Sequence, residues 1–81
     1  MTPQELADGL AAVLDAVAGL GRAEITPDKT FADLGLDSLA MVEVAVAAED
    51  RFGLLIDDDD WSRCTTVADA TAYLRRAAAA T

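Results

Sequence analysis

A chain of 81 residues, read as one domain over 1–81, has no room for two lobes that close over a substrate. Fifteen acidic residues against six basic ones give a net charge of −9, a field that repels nucleic-acid phosphates and anionic membrane surfaces and attracts basic protein patches. There is no histidine and Cys64 is the single cysteine, which excludes the commonest general base, an internal disulfide and a cysteine-based zinc site. Met1 to Glu5 lacks the basic region of a signal peptide, and no run approaches the roughly 18 apolar residues of a membrane span. A cytoplasmic, non-catalytic protein is expected.

The first helix opens at Thr2-Pro3-Gln4-Glu5, a capping box with proline at the first helical position. Leu6, Leu10, Val13, Leu14 and Val17 then recur at helical spacing, and Gly19 and Gly21 can end the element. Leu20 to Asp37 reads as a long connection whose apolar residues Ile25, Phe31, Leu34 and Leu36 pack it down, with a short turn around Thr30 to Leu34. Loops this long in so small a domain tend to be functional. The second helix runs from about Ser38 to Phe52, capped by Asp37 and stopped by Gly53. Its valines at 42, 44 and 46 alternate as in a strand, but the length is that of a helix. A short third helix starts within Asp57 to Asp60 and reaches Cys64. The fourth opens at Thr65 or Thr66, turns Val67, Ala70, Tyr73 and Leu74 inward, and frays over Ala77 to Thr81. The predicted fold is all-α, three main helices and one short one, with Phe31, Val44, Ala48, Phe52 and Ile56 completing the core.

Wound at about 100° per residue, the second helix has two apolar stripes. Met41, Val44, Ala45, Ala48 and Phe52 form the core side. Leu39, Val42 and Val46 lie opposite, bordered by Glu43, Glu49 and Asp50. An apolar centre with an acidic rim suits a protein partner, the alternative being an ordinary solvated face.

Leu34-Gly35-Leu36-Asp37-Ser38-Leu39 stands at the start of this helix. Asp and Ser are good helix-starting residues in any protein. Ser38 has no histidine to activate it and no flanking glycines of a nucleophile elbow, so it makes a poor nucleophile of its own. A phosphate carried on it would meet free amides and the positive end of the helix dipole.

The same segment resembles the attachment motif of acyl carrier proteins, and the likeness extends through Asp37 to Val44, Ala47 to Phe52, Ile56 and Thr65-Thr66-Val67. It is similar to discrete, actinobacterial-type carriers of dissociated fatty-acid and polyketide systems. The resemblance implies a four-helix carrier fold with 4′-phosphopantetheine, drawn from coenzyme A, on Ser38. It implies that Asp37 helps a phosphopantetheinyl transferase place magnesium. It also implies that Leu39, Val42, Glu43, Val46, Glu49 and Asp50, with Asp58, meet ketosynthase, acyltransferase and tailoring enzymes through basic patches, the carrier itself being a monomer. The family's usual proline before the third helix is replaced by Asp57, Trp61 stands where a smaller residue is common, and Cys64 replaces an aliphatic residue facing the prosthetic group.

Two further readings stand beside it: a peptidyl carrier, which is commonly less acidic along the second helix, and an acidic helical adaptor that is never modified. The run Asp57-Asp58-Asp59-Asp60 fails the calcium-loop pattern, because Trp61, Ser62 and Ala68 fall at its fifth, sixth and twelfth positions. It reads as a helix start and a steering patch. Cys64 reads as a small core hydrophobe and Trp61 as a packing ring. One lysine, Lys29, against five arginines fits a GC-rich bacterial genome.

Overall fold

The computed structural model describes residues 2–80, and each helix begins at a side chain that accepts a first-turn amide. Helix α1, Pro3–Ala18, starts at the capping box of Thr2 and Glu5 and stops at Gly19, whose φ of 68° is left-handed. A 3₁₀ turn, Arg22–Glu24, follows. Helix α2, Ser38–Phe52, is capped by Asp37 and ends at Gly53. Helix α3, Asp58–Ser62, is capped by Asp57; helix α4, Val67–Ala79, opens with a second capping box of Thr66 and Asp69. Met1, and Thr81 at the end of the tail expected to fray, lie outside the described residues.

Helix α1 packs against α2 and α4, and α3 lies against α2. The centre is aliphatic: Leu6, Leu10, Leu14, Val44 and Leu74 are fully buried. Each such side chain contributes about 1.5–3 kcal/mol through the apolar surface it removes from water. No charged side chain is buried among the described residues. At Gly9 helices α1 and α2 come close, since a Cβ there would lie 2.5 Å from the Phe52 ring.

The long connection is stitched to the junction of α3 and α4. Phe31 N–H donates to Thr65 O, Val67 N–H to Lys29 O and Ala68 N–H to Pro27 O, each at 3.0 Å. Thr30 and Thr66 pair as an isolated antiparallel bridge. Ile25 and Phe31 are buried and Leu34 and Leu36 partly so, which holds the loop's end, and hence Asp37 and Ser38, in a fixed place.

Three expectations are corrected. Helix α3 stops at Ser62 rather than reaching Cys64, because Arg63 already forms its C-cap with amide bonds back to Asp60 and Trp61. Helix α4 does not fray at Ala77: it continues to Ala79, and Ala77 and Ala78 pack against the core. Val17, Phe52 and Tyr73 are only partly buried, while Leu54 and Trp61, not counted in the core, are buried in it. Glu49, on the rim of the outward stripe, is part-buried, and its Oε2 accepts the Ile56 amide at 2.9 Å, fastening the segment after α2.

Candidate functional site

Asp37 sets the geometry at the head of α2. Its backbone is extended, its Oδ1 accepts the Ala40 amide at 2.8 Å and its carbonyl accepts the Met41 amide at 3.0 Å. The amides of Ser38 and Leu39 remain among the unpaired donors of the first turn, at the positive end of a 15-residue helix. Ser38 is exposed, and its hydroxyl makes no hydrogen bond among the described residues. A free hydroxyl beside free amides fits a phosphodiester: the hydroxyl can be esterified and the amides can donate to phosphate oxygens.

Beside Ser38 opens a cleft of about 360 Å³ between α2 and α3. Its apolar wall is Leu36, Met41, Val42, Trp61 and Cys64, and Asp37, Asp58 and Ser62 edge it. The indole of Trp61 is 3% exposed, donates from Nε1 to the Met41 carbonyl at 3.0 Å and meets Tyr73 edge-on at 6.1 Å. The Tyr73 hydroxyl in turn accepts the Asp57 amide at 2.9 Å, tying α4 to the start of α3. Burial, reinforced by Asp69, pushes the Cys64 thiol pKa up against the opposing effect of Arg76. The thiol is therefore a protonated lining group at neutral pH rather than a thiolate nucleophile.

The outward stripe of α2 is present as spaced in the sequence. Leu39, Val42 and Val46 are 68%, 57% and 60% exposed. Glu43 and Asp50 are exposed on the same helix, and Asp58 is exposed at the start of α3 by the cleft. Sequence reasoning missed Leu55, which is 90% exposed between the buried Leu54 and Ile56. The signal was the extended segment itself, in which alternate side chains face opposite ways.

Residues 8–74 match the family model described as "Phosphopantetheine attachment site". The chain is 49% identical over 74 residues to the acyl carrier protein of Thermobifida fusca, covering 90% of this chain and 94% of that one. It is 43% identical over 76 residues to the meromycolate extension acyl carrier protein of Mycolicibacterium smegmatis, covering 93% and 77%. Among solved structures, the NMR solution structure of 3-oxo-butyl-ACP from the actinorhodin polyketide synthase of Streptomyces coelicolor superposes with a TM-score of 0.72 at 30% identity, covering all of this chain and 94% of that one. The chain belongs to the acyl carrier protein family, whose members are carriers rather than catalysts and take phosphopantetheine as their prosthetic group.

Proposed function

We propose that Ser38 is the residue that carries 4′-phosphopantetheine, installed by a phosphopantetheinyl transferase from coenzyme A, and that residues 1–81 act as one monomeric cytoplasmic carrier domain. The observation that carries this is the unbonded, exposed hydroxyl of Ser38 at the amide-rich head of α2. When bound, the group supplies a flexible arm ending in a thiol that holds an acyl chain as a thioester. The chain's own residues do the rest. Asp37 holds the helix start rigid through Ala40, and its second carboxylate oxygen is free to help place the transferase's magnesium. The Ser38 and Leu39 amides steady the phosphate. No helix among the described residues is long and apolar enough to cross a membrane.

Those partners meet α2, in this reading, at Leu39, Val42 and Val46, with Glu43, Asp50 and Asp58 steering basic patches toward Ser38. The relatives' names point to type II fatty-acid or polyketide assembly, with ketosynthase, acyltransferase and tailoring enzymes as those partners. The test is intact mass after incubation with coenzyme A, magnesium and a broad-specificity phosphopantetheinyl transferase. The wild-type chain should gain one prosthetic group and Ser38→Ala none, with its helical content unchanged. Modification of the alanine variant at any other residue overturns the assignment.

A further inference from the structure

We propose that Leu55 is a fourth apolar contact for the phosphopantetheinyl transferase that loads Ser38, continuing the outward stripe of α2 beyond Val46 and held in place by Glu49 and Tyr73. The inference rests on Ser38 being the attachment point and adds a residue that decides how tightly the loading enzyme grips this carrier.

Leu55 is the most exposed large hydrophobic side chain among the described residues. A single exposed leucine needs no explanation where the chain around it is free to move. Here it is not free. Leu54 and Ile56 on either side are buried in the core, which turns Leu55 outward. The next two amides are both bonded to side chains of other elements: Ile56 N–H donates to Glu49 Oε2 on α2 and Asp57 N–H to the Tyr73 hydroxyl on α4, each at 2.9 Å. The leucine therefore stands on a segment fixed from two directions, and little backbone freedom remains to be lost when a partner closes on it.

Its place suits the partner that the stripe suits. Glu49 lies about 4.5 Å of helix beyond Val46, and its carboxylate meets the nitrogen bonded to the Leu55 carbonyl carbon. A standard interface covers about 800 Å² per partner, a disc about 32 Å across. The longest extent of this chain is 31 Å, so an enzyme that covers Ser38, Val42 and Val46 covers Glu49 and Leu55 as well. Residues 49–60 carry six acids and a single base, Arg51, which sets the leucine in the negative field that a basic enzyme surface seeks. The occupant is therefore an apolar pocket with a basic rim on the loading enzyme; a second copy of this chain, itself at −9, would be repelled.

The test is steady-state loading of the unmodified chain by a phosphopantetheinyl transferase, followed by intact mass. Leu55→Ala should raise KM about fivefold and keep kcat within about twofold, the mark of an interaction made equally in ground and transition states. The rise should be the same at about 0.01 and about 0.15 M salt, because it is apolar, and Leu55→Met should recover most of it. Melting temperature should not move, since this side chain buries almost nothing in the free chain. Tyr73→Phe keeps the ring against Trp61 but removes the acceptor of the Asp57 amide. It should raise KM about twofold in the wild type and add nothing in the Leu55→Ala background, because a loosened segment matters only while it carries the leucine. An unchanged KM for folded Leu55→Ala, with Val46→Ala raising it, overturns the proposal, the contact then ending with α2. Equal effects of Tyr73→Phe in both backgrounds overturn the anchoring. Failure of the wild-type chain to load at Ser38 overturns the attachment reading and this inference with it, and is told apart because it shows before any variant is compared.

Discussion

The acidic rim of α2 should govern encounter rather than grip, and its effect can be worked from the exposed charges. Glu43 and Asp50 are exposed, whereas Glu49 is engaged with the Ile56 amide, so the clean reversal is Glu43→Lys with Asp50→Lys. A unit charge pair about 10 Å apart in water is worth about 0.4 kcal/mol, and reversing one sign changes that by about 0.8. At 0.01 M salt, with a Debye length of about 30 Å, screening leaves roughly 0.6 kcal/mol per reversal, or about sevenfold in rate for the two. At about 0.15 M the same double variant should lose only about twofold. Val46→Ala acts differently. Removing the larger part of an exposed valine from an apolar contact costs about 1 kcal/mol, roughly fivefold, at any salt. The assay is kcat/KM of a phosphopantetheinyl transferase for this carrier across a salt series. Equal rates for the lysine variant and wild type at 0.01 M would refute the steering argument and return the stripe to a solvated face.

Core packing predicts unequal losses from two substitutions. Leu10→Ala should cost about 3–5 kcal/mol because Leu10 is fully buried; Phe52→Ala should cost less, about 2 kcal/mol, because its ring is partly exposed. Urea melts that ranked Phe52 above Leu10 would contradict this. The amides of Thr65 and Thr66 donate to Asp69 Oδ2 and hold that carboxyl below its ordinary range. A depressed folded-state pKa stabilises the fold above the unfolded value, about 3.9, and the gain is lost as pH falls through the folded value. Asp69→Asn should therefore be less stable than wild type at neutral pH, with the gap narrowing below about pH 4; a gap that stayed constant down to about pH 2 would show that the charge of Asp69 does not matter.

Helix starts were legible because their chemistry is local: Thr2, Asp37 and Thr66 each accept an amide three residues on, and Gly19 and Gly53 turn left-handed where the apolar period stops. The outward stripe was legible for the same reason, since Leu39, Val42 and Val46 are set by helical angle alone. Angle says nothing of what the following chain does, and so the second task of Glu49 was hidden: the segment after Gly53 brings its Ile56 amide back to that carboxylate. The long connection hid its 3₁₀ turn, three residues being too few to show a period. Its anchoring is by backbone groups of Lys29, Phe31 and Thr65, which every residue type possesses. Trp61 could be read as a packing ring but not as part of the cleft beside Ser38, because the carbonyl that fixes it lies 20 residues away.

Helix α2 has to serve three surfaces at once, and this accounts for its composition. Its inner side must be small where α1 crosses, so Ala45 and Ala48 are buried there, beside Val44. Its head must stay unsatisfied, so Asp37 caps only Ala40 and leaves the amides of Ser38 and Leu39 open. Its outer side must carry apolar area without a partner of its own, a cost in solubility that the acidic residues around it offset through the large negative net charge. Val42 belongs to two surfaces, being 57% exposed on the outward stripe and a wall of the cleft beside Ser38. Val42→Ala should therefore alter the outward stripe and the cleft wall together, whereas Val46→Ala alters the stripe alone.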